Sequence, residues 1–344
     1  MRQVLILIAG LACAPFGVAA QSIEISGAGS TFAAPIYDKW GDAYQKSGGG
    51  KVSYHGVGST DGVKRIIANE VDFAGSDAPL TDAELTKDGL LQFPTVVGGV
   101  VPVVNIPDIK PGELTLSGPV LGDIYLGKIT NWDAPAIAAL NPKIKLPDMP
   151  IAVVRRLDGS GTTLIWTHYL AQVNAEWKSK VGEGTSVQWP RGIAGRGNIG
   201  MATYVQHVPG AIGYVAWDFT KQNHMAYTAM KNATGAAVQP GPETFKAAEA
   251  GADWSKSLNP FLTNEPGQDA WPVVGATFVL VHVSQDKPER SAALLRFFDW
   301  VFANGGRAAE DLDYIPLPET VVTELRSQLH TQVKDGSGKV VAGQ

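Results

Sequence analysis

A single cysteine, Cys13, stands in this chain of 344 residues. It lies among the first twenty residues, whose make-up differs from everything after them, so the rest of the chain can form neither an internal disulfide nor a thiolate site. Histidine is also sparse. His55, His168, His207, His224, His282 and His330 show no HExxH and no other tight ligand spacing, so solvated or core histidines are expected and no metal site or cofactor. Charged residues make up 18%, the net charge is −5, and Lys and Arg are scattered; no basic face for nucleic acid is expected. No serine has glycine at both −2 and +2, which excludes the GxSxG elbow of α/β-hydrolases. No run after the first twenty residues reaches the roughly 20 apolar residues that a spanning helix needs.

The first twenty residues read as a cleaved secretory signal, 1–20. Arg2 gives a positive start, Val4 to Leu11 is apolar, and Val18-Ala19-Ala20 supplies small residues before a mature start near Gln21. Lipid attachment at Cys13 is disfavoured because the apolar run ahead of it is short and a better cleavage site follows. Secretion without disulfides fits a bacterial periplasm, where a large core makes them unnecessary. With 44% hydrophobic residues, the mature chain can bury one large core or two moderate ones.

After the signal the chain repeats a unit of strand, small-residue turn and helix. Ile23 to Ser26 leads through Gly27-Ala28-Gly29-Ser30-Thr31-Phe32 to Ile36, Trp40 and Tyr44 at helical spacing. Val52 to Tyr54 leads through Gly56 to Gly62 to Val63, Ile66 and Ile67. Val71 to Gly75 leads through Ser76-Asp77-Ala78-Pro79 to Thr81-Asp82-Ala83-Glu84, a capping-box pattern. Strands alternating with helices predict an α/β fold with a mainly parallel sheet, whose ligand side lies beyond the carboxyl ends of the strands. The apolar stretch Phe93 to Ile106 is too long for one sheet; it is expected to cross between lobes, broken at Gly98-Gly99, and Trp271 to Val283 to carry the chain back. Ser291 to Phe302 is expected to pack as a helix on the first sheet, and residues after Val333 to fray.

The most informative stretch is Arg155-Arg156-Leu157-Asp158-Gly159-Ser160-Gly161-Thr162-Thr163. It follows the apolar run Ile151 to Val154 and opens a helix read from Trp166, Leu170, Val173 and Trp177. Hydroxyls, glycines and an arginine at a helix start suit a small oxyanion, because the first backbone N–H groups there lack partners. Four segments thus supply candidate ligand groups: Thr31 and Phe32, Ser59, Asp77, and Arg156, Ser160, Gly161 and Thr162, with Asp158 holding the guanidinium of Arg156. Each hydroxyl taken singly could be a helix cap. Asp77 tells the most, since a carboxylate beside an anion repels it unless it accepts a proton from it. Hydrogen phosphate has that proton and sulfate does not. Gly122 to Ile129 mimics a phosphate loop, but Ile129 stands where the magnesium-holding hydroxyl belongs.

Gly27-Ala28-Gly29-Ser30-Thr31-Phe32-Ala33-Ala34-Pro35, Ser76-Asp77-Ala78-Pro79-Leu80, Gly122 to Trp132, Arg156 to Thr162, and Pro209-Gly210-Ala211-Ile212-Gly213-Tyr214 together resemble the periplasmic phosphate-binding proteins of phosphate-specific ABC transporters. The resemblance spans essentially the whole mature chain. It implies a two-lobed type II fold with a two-strand hinge, lobe 1 from 21–98 and 276–344, and lobe 2 from 99–275. It also implies a monomer without enzymatic activity that binds inorganic phosphate and delivers it to a membrane permease and ATPase. Its site would comprise the backbone N–H groups of Thr31 and Phe32, with Ser59, Asp77 as proton acceptor, Arg156, Ser160, Gly161 and Thr162. One departure is Asp61, where many members carry a small residue. The rival readings are a secreted phosphatase with Ser160 or Thr162 as nucleophile, and a binder of sulfate or molybdate.

Overall fold

The computed structural model describes residues 23–285 and 287–341; the signal expected at 1–20, with Cys13, lies outside the described residues. Strands β1 (Ile25–Gly29), β2 (Val52–Gly56) and β3 (Phe73–Ser76) are parallel, in the order β2-β1-β3. Each is followed by a helix, α1 (Ala34–Lys46), α2 (Ser59–Ile67) and α3 (Asp82–Asp88). Period 3.6 explains what each helix buries: α1 turns Ile36, Tyr37 and Trp40 inward, and α2 buries Ile66 while Ile67, one residue on, stays 41% exposed. The capping box forms as read. Thr81 Oγ1 accepts the Glu84 N–H at 3.3 Å, and Glu84 accepts the Thr81 N–H at 2.8 Å.

The next strand, β4 (Leu90–Val104), is fifteen residues long, about 50 Å of extended chain. It pairs antiparallel with the return strand Val274–His282 up to Gly99, then with the strand Ala211–Ala216 from Val100 to Val104. One sheet therefore runs from β2 to the strand Ile193–Gly195 by way of Ala152–Arg156, with parallel pairs at both ends and the two long strands in the middle. The break expected at Gly98-Gly99 is absent. Those glycines are there for packing: a Cβ on Gly98 would lie 2.7 Å from the Phe32 ring, and one on Gly99 2.2 Å from the Phe245 ring.

Other expectations are corrected. Trp166, Leu170, Val173 and Trp177 do not share one helix. Gly161–Val173 ends at Asn174, whose side chain accepts the Trp177 N–H and starts a separate short helix, Ala175–Lys180. Residues Gly122 to Leu126, five of the eight in the phosphate-loop mimic, are helical within Gly118–Leu126 and form no loop. The segment after Val333 is tied down as far as Val341: Lys334–Asp335 pairs with Ser284–Gln285, Asp335 accepts from the backbone and side chain of Ser337 in a tight turn, and Val341 is buried. The helix Pro288–Asn304 does pack on the first sheet, where Phe298 meets Phe73 and Phe93 edge-on.

Asp72 ties that helix to β1, since it accepts the Ser26 N–H and Arg290 Nε, each at 2.7 Å. Burial pushes its carboxyl up, but the Arg290 and Ser26 hydrogen bonds outweigh burial and hold it below the ordinary range. A depressed folded value means stability that is present above the unfolded value, near 4, and is lost as pH falls through the folded one. Asp72→Asn is expected to be about 1–2 kcal/mol less stable than the parent at neutral pH. In thermal melts at stepped pH that deficit should shrink in acid; a deficit constant with pH would remove the charge from the account.

Candidate functional site

The three parallel strands end level. Gly29 is registered with Gly56 on one side and Gly75 on the other, so the turns that follow leave the sheet at one edge. Backbone bonds knit the turns together: Ser30 N–H donates to Gly75 O at 2.8 Å, and Val57 and Gly58 N–H both donate to Gly29 O. Ala152–Arg156, across the crossover, delivers the arginine stretch to the same place. There Ser160 caps the helix Gly161–Val173 by accepting the Thr163 N–H at 3.1 Å.

Asp77 lies at the centre and is buried. Its Oδ1 accepts the hydroxyls of Ser30 and, at 2.8 Å, of Thr277 on the return strand; its Oδ2 accepts Thr162 Oγ1 at 3.1 Å. Burial pushes its carboxyl above the usual range, against the pull of those three hydroxyls and of the Arg156 charge. Ser59 Oγ accepts two backbone donors, Gly161 N–H at 3.0 Å and Asp77 N–H at 3.3 Å. The approach is close enough to demand glycine at 161, where a Cβ would lie 2.6 Å from Asp77 Cβ.

Arg156 and Asp158 are both buried and form a two-pronged pair. Nε donates to Oδ1 at 2.9 Å, Nη2 donates to Oδ2, and Oδ1 also accepts the Gly197 N–H at 2.9 Å. Burial pushes the Asp158 carboxyl up, but the Arg156 hydrogen bonds and charge prevail and hold it below the ordinary range. That leaves one buried guanidinium nitrogen, Nη1, with no partner among the described residues. A buried donor of this kind calls for an acceptor, because leaving it unmet costs about 1–3 kcal/mol. The Arg156 backbone N–H reaches Tyr214 OH at 3.4 Å, and burial pushes that phenol up to about 12, so it stays neutral.

Of the residues singled out in the sequence, the structure thus joins Ser59, Asp77, Gly161 and Thr162 directly, and sets Arg156 with Asp158 beside them. Ser160 is adjacent, its hydroxyl engaged as a cap. Thr31 is half-buried, and its Oγ1 accepts from Asn198 Nδ2 at 3.0 Å and Asn198 N at 3.3 Å. Phe32 is buried, and its N–H donates to Ser30 Oγ at 3.0 Å. Asp61 turns outward, its side chain 43% exposed and 3.7 Å from Lys64. Four residues of the cluster escaped the sequence reading. Ser30 was visible within its turn as a further hydroxyl, and Asn198 follows a glycine-rich helix start. Thr277 and Tyr214 sit in apolar strands and carry no local signal.

A family model described as a PBP superfamily domain matches residues 14–304. The chain is 48% identical over 328 residues to phosphate-binding protein PstS of Pasteurella multocida, covering 95% of each. It is 48% identical over 316 residues to phosphate-binding protein PstS of Xylella fastidiosa, covering 91% of this chain and 87% of the relative. Among solved structures, a DING protein superposes with a TM-score of 0.71 at 22% identity, covering 93% of this chain and 99% of the other, which is a likeness of fold. An α/β architecture whose sheet is parallel at both ends, shared superfamily and near-complete coverage agree: the chain belongs to the PstS family of the PBP superfamily.

Proposed function

We propose that the chain captures hydrogen phosphate reversibly, by closure of two lobes and without chemical change to the ligand, and passes it to the permease and ATPase of an ABC transporter. One observation carries the reading. A cationic donor buried and unpartnered among the described residues, Arg156 Nη1, belongs to the same cluster as a buried carboxylate acceptor, Asp77, whose ionisation the Arg156 charge favours. A tetrahedral anion that still bears a proton satisfies both; sulfate satisfies only the donor. The PstS relatives named for phosphate binding support the same ligand.

The ligand set we propose is Thr31, Phe32, Ser59, Asp77, Arg156, Ser160, Gly161 and Thr162, with Asp158 supporting Arg156. The lobes are 21–98 with 276–344, and 99–275. The partner change along β4 at Gly99–Val100 supports that division, and β4 with the return strand makes the hinge. The location is the periplasm, the assembly a monomer, and the activity binding without catalysis. The phosphatase alternative draws on Thr162, whose hydroxyl lies 3.1 Å from Asp77 Oδ2 as a nucleophile lies near a base. Ser160 is a poorer nucleophile because its oxygen is engaged in the helix cap. Turnover of a phosphate ester by the purified protein would favour catalysis over binding.

Calorimetric titration with phosphate, sulfate and molybdate tests the proposal. Phosphate is expected to bind with a preference over sulfate of roughly 10⁴-fold, as for sites built around a hydrogen bond that the wrong ligand cannot make. Equal affinities would overturn it.

A further inference from the structure

We infer that Ser30 and Thr277 are positioning residues that decide how many protons the ligand must bring: they fill both acceptor places of Asp77 Oδ1 and turn Oδ2, with one place left, toward the ligand. The inference rests on the proposed phosphate site. A carboxylate offers about four acceptor places in its plane, two on each oxygen. Ser30 Oγ and Thr277 Oγ1 occupy the two on Oδ1, and Thr162 Oγ1 occupies one on Oδ2. An anion bringing one proton fills the fourth. An anion bringing none sets its lone pairs against those of Oδ2.

The Ser30 hydroxyl is fixed in direction. Its oxygen already accepts the Phe32 N–H at 3.0 Å, so its single proton goes to Asp77. Thr277 arrives from the return strand, paired with Val96 of β4 at the point where the register shifts before Phe278, so its hydroxyl is placed by that pairing. Both side chains are about 1% exposed or less, and water does not substitute for either at low cost. The same hydroxyls oppose the effect of burial on Asp77 and favour its ionised form. If they were removed, part of the carboxyl population would hold its own proton and donate it, which welcomes an anion that has none.

The test is calorimetric titration of the parent, Ser30→Ala, Thr277→Val and Thr277→Ser with phosphate and with sulfate, from mildly acidic to mildly alkaline pH. Ser30→Ala and Thr277→Val are each expected to lose about tenfold or more of the phosphate-over-sulfate ratio, the size of one hydrogen bond to a charged group. The loss should be greatest at the acidic end, and Thr277→Ser, which keeps the hydroxyl, should hold the parent ratio. A ratio unchanged at every pH, or affinities for both anions falling together at constant ratio, overturns the inference. Should Ser30→Ala fail to fold, Thr277→Val carries the same test. A parent that binds no phosphate would instead strike the proposed function.

Discussion

In the Asp77→Asn protein, sulfate is expected to compete with phosphate on nearly equal terms. The two hydroxyls at Oδ1, from Ser30 and Thr277, are both donors, so they hold the amide oxygen of an asparagine in that position. The amide nitrogen must then take the place of Oδ2 and present N–H groups where the carboxylate presented a lone pair. A ligand proton now meets another proton, while a bare oxygen meets a donor. The phosphate-over-sulfate ratio should drop by roughly a thousandfold or more, approaching the full discrimination of such sites. Competitive titration of the two anions measures it, and unchanged selectivity would remove Asp77 from its role as proton acceptor.

The same substitution is expected to raise thermal stability in buffer without phosphate or sulfate. Burial raises the Asp77 carboxyl above its ordinary value, so the folded chain holds that proton more tightly than the unfolded one. Its contribution to stability therefore falls as pH rises from the unfolded value through the folded one, and at neutral pH the charge costs the fold. A neutral asparagine escapes that cost. A binding protein that gives up stability to keep a buried carboxylate ionised is a case of function set against stability.

Arg156→Ala is expected to cost more. At the proposed site phosphate would lose a charge-assisted hydrogen bond from Nη1, worth about 1.5–3 kcal/mol, so affinity should fall by roughly ten- to a hundredfold from that bond alone. Asp158 is left as a buried carboxylate without its guanidinium, with backbone N–H donors such as that of Gly197 in its place, and breaking a buried pair in this way costs about 3–5 kcal/mol of stability. Asp158 in the parent lies below the ordinary range, so the pair stabilises the fold above the unfolded value and loses effect as pH falls through the folded one. The melting deficit of Arg156→Ala should then be large at neutral pH and narrow in acid. Arg156→Lys should recover little, because one ammonium cannot grip both oxygens of Asp158 and still aim a donor at the ligand. Phosphate affinity equal to the parent's would exclude Arg156 from the site.

Local patterns carried much of this outcome. Thr81 with Glu84 announced the start of α3, Ile36 with Trp40 announced the face of α1, and Arg156 with Asp158, two residues apart, announced a locked guanidinium. Each depends on groups within one turn of chain, where backbone geometry alone sets the distance. The errors came where that locality ends. Gly98-Gly99 looked like a break because glycine is a breaker in isolation; in β4 it makes room for Phe32 and Phe245. Trp177 fell on the period of the preceding helix, yet Asn174 competes for the backbone N–H that would have continued it.

By itself, then, the sequence determined the α/β class, the strand-turn-helix units that end in polar turns, and the residue types offered to a ligand, since all of these follow from short-range periodicity and backbone preference. Only the tertiary structure decided who meets whom: that Thr277, 200 residues along the chain, shares Oδ1 of Asp77 with Ser30, that Ser59 bridges to Gly161, and that Nη1 of Arg156 is the donor left over. Sheet register and the path of β4 fix those meetings, and both arise from long-range packing, to which hydrophobic period is blind.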